Sequence, residues 1–388
     1  MAPHVRKTTD KKGPVSRLND ATGHAVRFFR AYTEGVSQRD LTQLFDREAT
    51  HAVHVLAGSQ ADEADHRRPM RMLKLLGAFV GGLAFKLSPP RRMLFAAALL
   101  LPLLGLFDVE WRVGATRIEL DFSPLWFLLA LAGMTLLLAL ELVDRLRVRD
   151  ELEVARALQH ELLPQAAPEF AGWSIAHSTR TANEIGGDYH DFVPLSDQRL
   201  ALAVGDASGH GIGAGLVMAI ASATFRSALD KDPDPRTALE DLNRVLCQTG
   251  GRRAFMTFFY GLLEPQSGAL TFAIAGHPFP LLRRASGGLE ELGRGGLPLG
   301  LKLGVEIHQG HTTLAPGDLL VLYSDGLPES VPGISGEAFG FEKLAELAAA
   351  GGTAEATHQR IVTAVHNHLG DEPMLDDMTL VVIARAPG

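Results

Sequence analysis

Four short acidic segments carry most of the chemistry this chain could perform: Gly186-Gly187-Asp188, Gly205-Asp206-Ala207-Ser208-Gly209, Ser324-Asp325-Gly326 and Asp376-Asp377-Met378-Thr379. Each stands at the edge of a segment expected to be a strand, beside glycine or another small residue. Carboxylate oxygens are hard ligands suited to Mg²⁺ or Mn²⁺, ions that keep several waters and need few protein donors. A strand end holds such a group rigidly, and a neighbouring glycine lets the backbone approach an ion. Singly, each segment also reads as an ordinary turn, because Asp-Gly is common turn chemistry. Four in one region are harder to read as turns alone. By contrast His51, His54 and His66 lack carboxylates at ligand spacing and read as solvated. The single cysteine, Cys247, excludes an internal disulfide and a Cys-rich metal site.

The elements that must position these carboxylates come from hydrophobic periodicity. Leu200–Val204, Phe255–Leu262, Leu270–Ala275, Leu319–Tyr323 and Thr379–Ile383 are rich in β-branched and aromatic residues and read as strands. Ile212–Leu229, Pro235–Cys247, Phe341–Ala350 and Thr353–Leu369 read as helices. Glycine-containing turns such as Pro265-Gln266-Ser267-Gly268 join the strands in pairs, which favours antiparallel sheets over βαβ crossovers.

The same segments carry a family resemblance. Glu161-Leu162-Leu163-Pro164, Ile185-Gly186-Gly187-Asp188-Tyr189-His190-Asp191 and Gly205-Asp206-Ala207-Ser208-Gly209-His210-Gly211 resemble the bacterial PPM-type phosphatases of the SpoIIE and RsbU group. The likeness continues through Phe255-Met256-Thr257, Ala275-Gly276-His277-Pro278, Leu297-Pro298-Leu299-Gly300-Leu301, Tyr323-Ser324-Asp325-Gly326 and Asp376-Asp377-Met378-Thr379-Leu380. It covers the chain from about residue 150 onward and leaves residues 1–145 outside. The resemblance implies an α/β sandwich, two antiparallel sheets flanked by helices, with a two-metal centre of Mn²⁺ or Mg²⁺ at one end. It implies that Asp206 bridges both ions, that Asp188 and the Ala207 carbonyl hold one, and that Asp325 and Asp376 hold the other. Water activated between the ions would then be the nucleophile. The implied activity is hydrolysis of phosphoserine or phosphothreonine on a regulatory protein, in this group an anti-sigma-factor antagonist. A catalytically silent membrane scaffold that keeps the fold is the alternative.

Two features depart from the wider family. Its eukaryotic branch has a histidine two residues after the bridging aspartate, where this chain has Ser208, so leaving-group protonation is expected to fall to water. His210 reads as a helix-start residue. That branch also grips phosphate with an N-terminal arginine, for which Arg180 and Arg253 are candidates by charge only. His277 is expected to hydrogen-bond structurally. Asp191 and Asp377 should face away from the ligands by strand alternation, with Asp377 able to act from behind them.

Composition describes the remainder. Of 388 residues 46% are hydrophobic, mean hydropathy is +0.08, and the excess lies between about residues 75 and 143. The net charge of −8 argues against a nucleic-acid binder. No secretory signal is expected at the polar, basic start. Uncharged runs Met93–Phe107 and Pro124–Leu140 predict two membrane spans, about 93–107 and 124–141. Arg67, Arg68, Arg71, Lys74, Lys86, Arg91 and Arg92 precede the pair and Arg145, Arg147 and Arg149 follow it. The connection carries Asp108, Glu110, Glu119 and Asp121 against Arg112 and Arg117, so both chain ends are expected in the cytoplasm of an inner-membrane protein. The expected organisation is a helical region over 1–70 (Val26, Phe29, Tyr32 and Val36 at helical spacing), a membrane region over 71–143, a linker helix over 144–165 and a phosphatase domain over 166–388. Leu152, Ala155, Leu158 and Leu162 form a stripe on the linker, read either as a signalling or homodimerising surface or as packing on its own domain. Membrane lipid and the phosphoprotein substrate complete the expected partners.

Overall fold

The computed structural model describes residues 80–106, 109–113, 116–120, 122–249, 254–333 and 336–387. The helical expectation for residues 1–70, with His51, His54 and His66, lies outside these, as does Arg253. The chain divides into two units, Met1–Asp144 and Arg145–Gly388.

In the first unit, helix α1 (Pro89–Leu104) opens with prolines at its first positions, where the fixed φ suits a helix start and no N–H bond is lost. It is followed by a hairpin of β1 (Val109–Val113) and β2 (Thr116–Leu120) and by α2 (Ser123–Leu162). Arg91 Nη1 reaches Glu141 at 2.9 Å and Asp144 at 2.7 Å. Gly133 lies where an added Cβ would sit 3.5 Å from the Ala98 side chain. These contacts align α1 and the start of α2 antiparallel, with small residues at the crossing. Phe95, Ala98, Ala130 and Leu137 are buried, whereas Leu100, Leu103, Leu128, Leu129, Leu131, Leu136 and Leu138 are exposed. The first apolar helix begins earlier than the expected span and ends at Leu104. Its 16 residues span roughly 24 Å at the α-helical rise, short of a bilayer core of about 30 Å. The second is 40 residues long in all and runs through the expected span and the linker helix without a break, because good helix formers continue to Pro164.

The second unit is a sandwich of two five-stranded antiparallel sheets. Sheet one has the order β10-β7-β6-β5-β4, using β4 (Asp188–Pro194), β5 (Leu200–Ala207), β6 (Met256–Leu263), β7 (Ala269–Ala275) and β10 (Gln309–Thr313). Sheet two has the order β3-β12-β11-β8-β9, using β3 (Trp173–Arg180), β8 (Leu281–Arg283), β9 (Leu289–Glu291), β11 (Leu319–Tyr323) and β12 (Met378–Arg385). Along β5 the side chains alternate between two cores. Leu200, Leu202 and Val204 join Phe192, Leu322 and Val381 between the sheets. Ala201, Ala203 and Ala207 face α3 (Ile212–Lys231) and α4 (Pro235–Thr249), and their small size lets α3 lie close. Helices α5 (Phe341–Ala349) and α6 (Ala354–Leu369) cover the outer face of sheet two through Leu344, Ala348, Ile361 and Val365. The expected antiparallel α/β sandwich is thus present.

Candidate functional site

Antiparallel pairing sets Asp188, the first residue of β4, directly opposite Asp206 near the end of β5. Both alternate with inter-sheet residues, Asp188 with Phe192 and Asp206 with Val204, so both face the gap between the sheets. From sheet two, the turn after β11 brings Ser324 and Asp325, and the approach to β12 brings Asp376 and Asp377. The two halves meet where the Ser324 hydroxyl donates to Asp188 Oδ2 at 2.7 Å. That hydroxyl accepts from the Thr379 N–H at 2.9 Å, so one side chain ties β12, β11 and β4 together.

Asp188 is 2% exposed, and its other oxygen, Oδ1, is buried without a hydrogen-bond partner. Burial pushes its carboxyl up to about 8, against the stabilising Thr379 and Ser324 hydroxyls. Burial, then the charges of Asp188, Asp325 and Asp376, pushes Asp206 up to about 9. Asp325 is raised by burial and by Glu329 and Asp376. Such a cluster resists ionising all its members unless a cation neutralises them. Residue size agrees. A Cβ on Gly187 would stand 2.8 Å from the Ala207 carbonyl oxygen and 3.3 Å from Asp206 Oδ1, so glycine keeps that space clear. The donors are all oxygen, one of them orphaned and buried, and they fit a hard divalent cation. Among the described residues no three His, Cys, Asp or Glu side chains stand close enough to hold an ion by themselves, so a cation here would need water to complete its shell.

The loop that delivers Asp188 is clamped from two sides. Asp377 accepts from the Ala182 N–H at 2.7 Å through Oδ1 and from the Gly187 N–H at 2.6 Å through Oδ2. A side chain on Gly186 would strike Asp377 Oδ2 and Thr181 Cγ2, both at 2.6 Å. On the other side Gln159 of α2, buried, donates to the Gly186 carbonyl at 2.5 Å and accepts from the Gly186 N–H at 3.1 Å. Neither the amide of Gln159 nor the hydroxyls of Ser324 and Thr379 stood out in the sequence as site residues. Ser324 and Thr379 sit inside the acidic motifs, but Gln159 carried no signal beyond its nearness to Pro164. The linker stripe divides accordingly: Leu152 and Ala155 are half-buried, whereas Leu158 is 60% exposed and Leu162 36%.

The other singled-out residues fall away from the gap. Asp191 is buried on the helix side, accepting from Tyr189 Oη at 2.8 Å and from Arg226 Nε and Nη2 at 2.8 and 3.0 Å. Ser208 locks the end of β5 to the start of β6: its N–H donates to the Phe255 carbonyl, and its Oγ accepts from the Phe255 N–H. His210 is exposed between Gly209 and Gly211, both at positive φ. His277 is buried with its Nδ1 2.8 Å from Thr257 Oγ1, and burial pushes it down to about 3. Arg180 is exposed at the end of β3, where with Arg156, Gln159 and Thr181 it lines a cavity of about 410 Å³.

Three comparisons with known proteins bear on this arrangement. Residues 196–386 match the family described as Stage II sporulation protein E (SpoIIE), a stretch that includes Asp206, Asp325 and Asp376 and begins after Asp188. Over 183 residues the chain is 30% identical to phosphoserine phosphatase RsbU of Bacillus subtilis, covering 47% of this chain and 54% of RsbU. Over 277 residues it is 25% identical to protein IcfG of Synechocystis sp., covering 64% of this chain and 43% of IcfG. The chain thus spans about half the length of these curated relatives. Among solved structures, the SiaA-PP2C domain of Pseudomonas aeruginosa aligns with a TM-score of 0.55 at 20% identity, over 62% of this chain and 98% of that one. The RsbU and RsbW domains of Rv1364c from Mycobacterium tuberculosis align at 0.50 and 32% identity, over 58% and 64%.

Proposed function

We propose, from the premise that the C-terminal unit is a SpoIIE-family domain of the PPM phosphatase type, that the protein hydrolyses phosphoserine or phosphothreonine on a regulatory partner protein. The observation that carries this reading is the meeting of Asp188 and Asp206 with Asp325 and Asp376 across the sheets, with burial and mutual repulsion raising Asp188, Asp206 and Asp325. Asp206 would stand between two ions, Asp188 and the Ala207 carbonyl would serve one, and Asp325 and Asp376 the other. Bound there, Mn²⁺ or Mg²⁺ would activate water and offset charge on the phosphoryl oxygens. The chain's own part is positional. Ser324 and Thr379 orient Asp188, Asp377 and Gln159 fix the loop before it, and Gly187 lets that loop pack closely on the Ala207 carbonyl and Asp206. The similarity to a phosphoserine phosphatase, RsbU, supports a phosphorylated anti-sigma-factor antagonist as the substrate class.

Among the described residues two helices are long and apolar enough to cross a membrane, Ser123–Leu162 and Ile212–Lys231. The second is the core helix α3. The proposed anchor is therefore the α1/α2 hairpin, with its exposed leucines in lipid and basic residues on the cytoplasmic side. Val154, Leu158 and Leu162, exposed on α2, are free to pair with a second copy.

The test is phosphopeptide hydrolysis by the full chain in detergent, with and without Mn²⁺. Wild type is expected to need the metal, and Asp206→Asn to lose at least about a thousandfold, of the order seen when a preorganised charge-stabilising group is removed, while staying folded. Wild-type turnover by Asp206→Asn would overturn the metal assignment. A wild type inactive with Mn²⁺ would favour the scaffold reading.

A further inference from the structure

The proposed metal site is split between two sheets, so its geometry depends on the gap between them. Apolar packing holds that gap in the middle of the sandwich, through Phe192, Val204, Leu322 and Val381. Apolar contacts are non-directional and tolerate sliding, and at the carboxylate end a different kind of contact takes over.

A chain of side-chain hydrogen bonds crosses the gap there. His177 Nδ1 lies 2.9 Å from His190 Nε2. His190 Nδ1 lies 2.9 Å from Thr179 Oγ1. Thr179 Oγ1 lies 2.9 Å from Thr379 Oγ1, and the Thr379 N–H donates at 2.9 Å to the Ser324 hydroxyl, which donates to Asp188 Oδ2 at 2.7 Å. His177, Thr179 and Thr379 belong to sheet two, whereas His190 and Asp188 belong to sheet one, so the chain passes between the sheets three times. Both imidazoles rest edge-on against Phe192, at 5.1 and 5.7 Å between ring centres, which places them where the apolar core gives way to the carboxylates.

The chain has one consistent direction. Asp188, ionised against a bound cation, only accepts, so the Ser324 hydroxyl donates to it and accepts from the Thr379 N–H. With the Thr179 hydroxyl donating to Thr379 Oγ1, Thr179 accepts from the Nδ1–H of His190. A neutral imidazole with a proton on Nδ1 accepts at Nε2, and His177 fills that role with its own Nδ1–H. In this arrangement every donor is used once.

We propose that His190 is a positioning residue for the metal ligand Asp188, acting through Thr179, Thr379 and Ser324 to set the separation of the two halves of the site. This rests on the metal reading above. Partners behind a metal ligand affect affinity by about 10–100-fold when removed. His190→Phe keeps the ring volume and loses the donor. His190→Asn keeps an N–H close to the Nδ1 position, and His190→Gln moves it toward Nε2.

The experiment is Mn²⁺ titration of the full chain in detergent by isothermal calorimetry, with thermal melting in chelator as the check on folding. His190→Phe and His190→Gln are expected to bind Mn²⁺ about tenfold more weakly than wild type, with His190→Asn near wild type. Thr179→Val should match His190→Phe, and serves in its place if His190→Phe does not fold. Unchanged Mn²⁺ affinity in His190→Phe, or in Thr179→Val, overturns the proposal. So does equal weakening in His190→Asn and His190→Phe, which would assign the loss to ring packing. Absence of Mn²⁺ binding by wild type would overturn the metal reading itself.

Discussion

Among the described residues two helices meet the same test of length and apolarity and differ in how far the protein covers them. The apolar stretch of α2 has a mean hydropathy of 2.2 and is 11% buried, while α3 reaches 1.5 and is 44% buried. The difference lies in side-chain size. The apolar content of α3 is largely small, with Ala214, Gly215, Ala221 and Ala228 turned toward the sheet beside Met218 and Phe225, so its backbone approaches β4 and β5 and is covered. The start of α2 is leucine on most faces, with Gly133 and Ala130 at its contact with α1 and Leu128, Leu131 and Leu138 left bare. Hydropathy measures the preference to leave water. Whether protein or lipid receives the helix depends on how closely a neighbour can pack.

That contrast can be broken most forcefully at α2. Leu128→Arg with Leu131→Arg should release the protein from membranes, since each arginine costs about 2.5–3.5 kcal/mol at a helix centre. Leu216→Arg, on the exposed face of α3, should leave membrane association unchanged. Fractionation of cell membranes checks both, and persistence of the double variant in the membrane fraction would refute the anchor. The next effect belongs to α3. Phe225→Ala should cost about 3–5 kcal/mol in urea unfolding of the phosphatase unit, because Phe225 is fully buried against Tyr189, Phe258 and Tyr260. Leu131→Ala in α2 should lie within about 0.5 kcal/mol of wild type in the same assay. The smallest effect sharpens the comparison at the far end of α2, which does bury one polar side chain. Gln159→Leu should raise the Mn²⁺ concentration for half-maximal hydrolysis about tenfold, from roughly 1.4 kcal/mol of lost hydrogen bonding to Gly186. Leu158→Ala with Leu162→Ala should leave it unchanged, and a shift in that pair instead would move the coupling to the exposed stripe.

Much of this was legible in the sequence. Alternation and turn chemistry act locally, so β11 was read at its observed bounds and α3, α4, α5 and α6 to within two residues. The four acidic motifs were visible for the same reason, since a carboxylate beside glycine at a strand edge is a local pattern. The strands β3, β8, β9 and β10 were not read, and β4 only as an extended segment beside Asp188, because polar side chains such as His177, Thr179 and His190 interrupt their apolar rhythm. Their hydrogen-bonding partners come from other strands and are absent from any local window.

What the chain determined by itself was its inventory: which residues could hold a cation, which stretches avoid water, and where the backbone must turn. Tertiary structure decided the rest, because it brings together groups that sequence separates widely. Ser324 meets Asp188 across 136 residues and Asp377 holds Gly187 across 190. It also decided that Gln159, and not Leu158 or Leu162, faces the loop that carries Asp188. A hydrogen bond needs a partner at about 3 Å, and only the packing of two sheets and a helix can fix a distance that short.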